Sequence, residues 1–93
     1  MAVYQINYDL RNQRNYAPLY ERLEGYSMWC RPLESCWVIS TTQSATQVRD
    51  HLRAVMDHDD GLLVTRLSGE AAWVKLDPKV SEYLKEMLEK KAA

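Results

Sequence analysis

Apolar and polar residues alternate in three stretches of the chain with the period of a β-strand. In residues 3–8, Tyr4, Ile6 and Tyr8 share one face, as expected of a half-buried strand. Residues 28–42 contain two β-prone pieces broken around Arg31-Pro32, which predict a hairpin or a bent strand. Residues 62–67 read as a further strand, and a short strand is expected at residues 71–76 after the turn at Ser68-Gly69.

Three other stretches carry apolar residues at helical spacing. The first is expected to begin after Asn15 as N-cap and to end at Gly25. The second opens with Ser44 and Gln47, the spacing of a capping box. The third follows Asp77-Pro78, an N-cap and a first-turn proline. Its inward-facing residues are predicted to be Val80, Leu84, Met87 and Leu88.

The order strand, helix, strand, strand, helix, strand predicts one α+β domain over residues 1–93. This is the ferredoxin-like βαββαβ plan, an antiparallel sheet with both helices on one face, followed by an additional C-terminal helix. The second face of such a sheet is expected to be solvated, to bind a ligand or to pair with another subunit. A chain of 93 residues buries little surface by itself, which favours a homodimer.

Composition excludes some classes of protein and leaves others open. A hydrophobic content of 46% argues against disorder. The net charge of -1 gives no global attraction to nucleic acid, so any such binding needs a local patch. Every arginine except Arg66 lies within residues 1–53, whereas all lysines come later.

The spacing of Cys30 and Cys36 fits neither a redox nor a zinc motif and predicts reduced thiols. With no apolar run long enough for a membrane, we expect a cytoplasmic protein.

Asp9 ends the first strand and is the candidate catalytic and metal-binding residue. A carboxylate there would suit Mg²⁺ or Mn²⁺. The alternative is that Asp9 accepts backbone hydrogen bonds in the loop before the first helix. No base and nucleophile pair accompanies it, so the residues leave open whether the protein is an enzyme.

Arginines and an aromatic residue that follow Asp9 suggest contact with RNA or DNA, and Arg31 would join them if the segment after the first helix returns to the same end of the sheet. The candidates are Arg11, Arg14, Tyr16 and Arg31, which would bind phosphates and stack on a base of a single strand. Solvated surface charge is the competing interpretation. Trp73 is the candidate for the dimer interface, because it would lie in a late edge strand able to pair with a second copy.

Several motifs resemble a known family of small bacterial and phage proteins. They are YDL at Tyr8–Leu10, WCRPLESCWVI at Trp29–Ile39, SA at Ser44–Ala45, RDHL at Arg49–Leu52, DHDDGLLV at Asp57–Val64 and GEAAW at Gly69–Trp73. Together they resemble the SinR family, which is not the helix-turn-helix repressor of that name. More distantly, the chain is similar to VapD toxins and to the second CRISPR-associated adaptation protein.

The resemblance implies a dimeric ferredoxin-like protein in a defence, toxin or mobile-element setting. In the distant relatives the aspartate matching Asp9 lies near the dimer axis and is implicated in metal binding. Two hypotheses follow from the chain as a whole. The first is a nucleic-acid or protein-binding module. The alternative is a divalent-metal-dependent endoribonuclease or nuclease that uses Asp9 from both subunits.

Overall fold

The computed structural model describes residues 1–12 and 15–92, with side chains as far as Glu89. The predicted α+β class is confirmed. The elements are β1 (Ala2–Asp9), α1 (Ala17–Glu24), β2 (Met28–Leu33), β3 (Cys36–Thr41), α2 (Ala45–Arg53), β4 (Gly61–Arg66) and α3 (Pro78–Ala92).

The four strands form one antiparallel sheet in the order β2-β3-β1-β4. In the centre of the sheet, Tyr4 pairs with Ile39 and Ile6 with Trp37. These side chains therefore share one face, the first face of the sheet. The strands β2 and β4 form the two edges.

Helices α1 and α2 cover the first face. Leu19 and Leu23 of α1, together with Val48 and Leu52 of α2, are completely buried against the sheet. The capping box at Ser44 is confirmed, because the Ser44 hydroxyl accepts from the Gln47 backbone N–H while the Gln47 side chain accepts from the Ser44 N–H. Helix α2 thus begins where its sequence satisfies the orphan donors of the first turn.

Helix α3 lies on the opposite, second face, where it contacts β2 and β1. The predicted inward residues Leu84, Met87 and Leu88 are buried against Val3, Cys30 and Val38. The Asp77 carboxylate accepts from the backbone N–H groups of Lys79 and Val80, as expected of an N-cap. The chain itself therefore covers part of the face that was expected to meet solvent, a ligand or a second subunit.

One predicted strand is wrong, and one predicted hairpin is present. Residues 71–76 form no strand; the chain is irregular between β4 and α3, with Lys75 at φ 60°, because it must cross to the second face to place α3. The two β-prone pieces form the antiparallel hairpin of β2 and β3, one of the two predicted arrangements; Arg31-Pro32 lies within β2, where the register shifts between Cys30 and Leu33. A proline is tolerated there because β2 is an edge strand.

Both cysteines are free and buried, in agreement with the prediction of reduced thiols. Burial, followed by the neighbouring Cys36 thiol, raises the pKa of Cys30 to about 11. Burial also raises the pKa of Cys36. Neither thiol therefore has the lowered pKa of a reactive cysteine. Across the ranges given above, no helix is both long and apolar enough to cross a bilayer.

Candidate nucleic-acid interface

The predicted site residues lie at one end of the sheet. Asp9 ends β1 opposite Gly61, the first residue of β4. At the same end, but on the other side of β1, Leu33 ends β2 opposite Cys36. Arg11 therefore lies on the β4 side of this end and Arg31 on the β2 side. Arg14 lies outside the described residues.

Arg11 on the β4 side is held by its own chain. Its Nε lies 3.2 Å from the Asp9 carboxylate, and its Nη1 donates to the Asp59 carbonyl at 2.9 Å. A Cβ on Gly61 would come within 3.1 Å of the Arg11 guanidinium, so glycine permits this close approach. The cation therefore compensates Asp9 and links β1 to the turn before β4.

The Asp60 carboxylate organises the same turn. It accepts from the Arg11 backbone N–H at 2.9 Å, from the Tyr16 hydroxyl at 2.8 Å and from the Asp57 backbone N–H at 2.9 Å. Burial raises the pKa of Tyr16, and the hydrogen bond and charge of Asp60 raise it further. The Tyr16 ring, predicted to stack on a base, is only 8% exposed. It offers no open face to a base, because α1 and the sheet enclose it.

No ready-made metal centre surrounds Asp9. Within the part of the chain that the structure describes, no three His, Cys, Asp or Glu side chains converge as metal ligands. The Asp9 side chain is 74% exposed, and the Arg11 guanidinium lies against it. One such copy of Asp9 supplies too few oxygen ligands for an all-protein site, although Mg²⁺ retains several waters.

Arg31 on the β2 side has a different environment. Its Nε and Nη2 donate to the Glu34 carbonyl at 2.9 and 2.6 Å, and Nη2 also reaches the Tyr8 hydroxyl at 3.4 Å. Its guanidinium carbon lies 5.0 Å from the ring centre of Tyr20 and 5.3 Å from that of Trp37. These are cation–π distances. None of the ion pairs among the described residues involves Arg31.

Aromatic residues fix this arginine in place. The Trp37 indole donates to the Tyr8 hydroxyl at 3.0 Å, and that hydroxyl lies 3.2 Å from the Glu34 carbonyl. Burial raises the pKa of Tyr8, while the Trp37 hydrogen bond and the Arg31 charge act in the opposite direction. Trp29 packs against Trp37 with ring centres 5.3 Å apart and is 37% exposed. We call Tyr8, Tyr20, Trp29, Arg31 and Trp37 the Arg31 cluster.

Sequence reasoning named Arg31 but missed the four aromatic residues around it. One signal was present, because Trp29 and Arg31 are two residues apart in a strand and so share a face. The contact with Tyr20 depends on how α1 packs across the sheet, which residue spacing does not specify.

Trp73 lies in the irregular segment before α3, where its indole donates to the Ser81 hydroxyl at 2.8 Å. It therefore has no strand edge to offer to a partner. The two most exposed apolar residues of the sheet, Leu33 and Leu63, lie in one row on the second face, near the Asp9 end, whereas Trp29 is exposed on the first face. By register the row consists of Leu33, Cys36, Asn7 and Leu63. Its two leucines are 60% and 59% exposed.

Comparison with known proteins gives no assignment. No protein-family model matches the chain, and no solved structure matches it significantly. What is established is a small α+β protein with an arginine held over aromatic rings at one sheet edge.

Proposed function

We propose that this protein is a binding module for single-stranded nucleic acid and that the Arg31 cluster is its contact surface. One observation carries the proposal: an exposed guanidinium has no carboxylate partner among the described residues, and lies over two rings beside a partly exposed tryptophan. Phosphate and base could then be bound side by side.

The chemistry of the cluster suits this ligand. Arginine offers a planar fork of donors that matches phosphate oxygens. The hydrogen bonds to the Glu34 backbone carbonyl and to the Tyr8 hydroxyl hold Arg31 in place. They do not neutralise its charge, because neither acceptor atom belongs to a charged group. An exposed indole can stack on any base that is unstacked from its neighbours, which favours a single strand over a duplex.

Fluorescence anisotropy of labelled single-stranded RNA and DNA octamers tests the proposal. Arg31→Ala is compared with Arg66→Ala, which removes another exposed arginine outside the cluster. We expect wild type and Arg66→Ala to bind alike, and Arg31→Ala to bind about ten-fold more weakly, within the range of charge-assisted phosphate contacts. Equal binding by all three proteins would refute the Arg31 cluster as the contact surface.

The strand order supports the ferredoxin-like assignment. From the β4 edge it reads β4-β1-β3-β2, with all neighbours antiparallel and α1 and α2 on one face. This is the order that two split βαβ units produce.

Placement in the SinR family and in a defence, toxin or mobile-element setting rests on the motif resemblance. A cytoplasmic location is favoured by the two free cysteines.

We also propose that the protein is a homodimer, joined through the row of Leu33, Cys36, Asn7 and Leu63. The row contains no charge, its two leucines are largely exposed, and a 93-residue chain gains much from additional burial. Sedimentation of Leu63→Arg should show a monomer if this is correct. Thr46→Arg, at an exposed position of α2, should sediment like wild type. A monomeric wild type would rule the dimer out.

The metal-dependent nuclease is the second candidate, and one observation favours it. Asp9 lies two residues after Asn7 in β1 and therefore on the same second face of the sheet. A dimer formed through the row that contains Asn7 would bring two copies of Asp9 near each other. Mg²⁺ or Mn²⁺ bound there would need Arg11 to move away. Cleavage of the octamers that depends on either ion and is lost in Asp9→Ala would support this function. Intact octamers with every ion would exclude it.

A further inference from the structure

A groove runs along the outer edge of β2, between that strand and the first turns of α3. It is shallow and open to solvent, with a volume of about 380 Å³. The lining residues are Trp29, Cys30, Arg31, Lys79, Val80 and Tyr83. No carboxylate is among them, although acidic residues are numerous elsewhere in the chain.

The groove combines two cations with two aromatic rings. Arg31 and Lys79 are exposed, and neither takes part in an ion pair among the described residues. Trp29 and Tyr83 are each partly exposed. Two uncompensated cations favour an anion, and the two rings favour a ligand that also carries a flat apolar group.

The N-terminus of α3 is not the source of this preference. The Asp77 carboxylate already accepts from the backbone N–H groups of Lys79 and Val80. An anion in the groove would therefore meet the Lys79 ammonium and the Arg31 guanidinium rather than the helix amides. The site depends on side chains from two elements that come together only in the fold.

A protein strand is a poor occupant of the same edge. Pro32 removes one backbone donor from β2, and the irregularity between Cys30 and Leu33 disturbs the straight ladder that strand addition requires. The remaining outward backbone groups of this short edge are still able to hydrogen-bond a small polar group such as a base edge.

We propose that this groove is a subsite for one nucleotide of the bound strand, with the base between Trp29 and Tyr83 and the phosphate on Arg31 and Lys79. The inference rests on the proposed function, since it locates one nucleotide of that ligand. It extends the contact surface from the first face of the sheet, across the edge of β2, to α3.

Matched variants test the subsite. Lys79→Glu reverses a cation in the groove, whereas Lys85→Glu reverses one on α3 that does not line it. Trp29→Ala and Trp73→Ala remove two tryptophans of equal exposure, 37%, only the first of which lines the groove. Circular dichroism melts confirm that each variant is folded. Because Lys79 is exposed, its variant remains informative if Trp29→Ala unfolds.

The readouts are affinity for labelled uridine and thymidine octamers, and the NMR shift of the Trp29 indole N–H during titration with uridine monophosphate. We expect Lys79→Glu and Trp29→Ala to weaken octamer binding about ten-fold, with both controls unchanged. The monophosphate should move the Trp29 signal, whereas inorganic phosphate alone should move it less.

The outcomes separate this inference from the proposed function. If wild type binds octamers and Arg31→Ala does not, but Lys79→Glu and Trp29→Ala bind normally, the nucleotide subsite is overturned and the binding module survives. If wild type binds no octamer, both are overturned. Binding of a phosphotyrosine peptide in place of any octamer would overturn both and would indicate a protein ligand.

Discussion

Arg11 and Arg31 lie at the same end of the sheet and were both predicted to contact phosphate, yet the fold treats them differently. Arg11 faces the Asp9 carboxylate and the Asp59 carbonyl. Arg31 is held by the Glu34 carbonyl, a phenol and two aromatic rings, none of which carries a formal charge. The first arginine is compensated within the chain, and the second has no carboxylate partner among the described residues.

The two arginines differ in their contacts rather than in their exposure. Both side chains are exposed. A guanidinium beside a carboxylate must give up that contact before it binds phosphate, whereas one over aromatic rings does not. The β4 side is therefore expected to contribute to stability and the β2 side to binding.

The largest expected effect is on the β4 side. Asp60→Ala removes the acceptor of the Tyr16 hydroxyl and of two backbone N–H groups, those of Arg11 and Asp57. We expect a loss of about 2 kcal/mol in the free energy of unfolding, measured by urea denaturation. One hydrogen bond to a charged group is worth about 1.5–3 kcal/mol, and the three bonds to this partly exposed carboxylate do not add, because they share one acceptor group.

The neighbouring residue provides the control. Asp59 is exposed, and Arg11 donates to its backbone carbonyl rather than to its side chain. Asp59→Ala should therefore cost less than about 0.5 kcal/mol, as is usual for surface substitutions. Equal losses in the two variants would show that the Asp60 carboxylate does not organise this turn.

Replacing each arginine is expected to change stability less than Asp60→Ala does, but the two arginine variants should differ clearly in their effect on nucleic-acid binding. Arg11→Ala should lower the free energy of unfolding by about 1 kcal/mol and leave octamer affinity unchanged. Arg31→Ala should weaken binding, and the slope of log affinity against log salt should fall by about 0.7, the loss of one phosphate contact on a single strand. If Arg11→Ala reduced the salt slope instead, the phosphate contact would lie on the β4 side of the sheet and the proposed role of Arg31 would be contradicted.

Local features were predictable because their partners are close in sequence. The capping box at Ser44 and the N-cap at Asp77 each involve residues two or three positions apart. The inward face of α3 followed from helical spacing. The position of α3 did not, since a helix after the last strand can in principle dock on either face.

The site was harder to predict because its contacts connect distant segments. Arg11 meets Asp59 and Asp60 across 48 and 49 positions, and the Trp37 indole meets the Tyr8 hydroxyl across 29. Only the register of β1 against β3 and β4 brings these residues together. Residue type suggested which side chains have the chemistry to bind phosphate, but not which of them already contacts a carboxylate of its own chain.

The smallest expected effects are on the pKa values of two tyrosines, one on the β4 side of the sheet and one on the β2 side. The pKa of Tyr16 is raised by burial and by the hydrogen bond and charge of Asp60. The pKa of Tyr8 is raised by burial but lowered by the Trp37 hydrogen bond and the Arg31 charge. Since both folded-state values lie above the unfolded one, both ionisations reduce stability as the pH rises beyond about 10.

Charge removal should shift the two phenols in opposite directions. Asp60→Asn should lower the pKa of Tyr16, because a neighbouring negative charge is lost. Arg31→Ala should raise the pKa of Tyr8, because a neighbouring positive charge is lost. A pH titration of ¹³C-labelled tyrosine rings by NMR measures both, and each variant is the control for the other tyrosine. If Arg31→Ala left Tyr8 unmoved, the guanidinium would not rest on the aromatic cluster in solution, and the β2 side would lose the feature that distinguishes it from the β4 side.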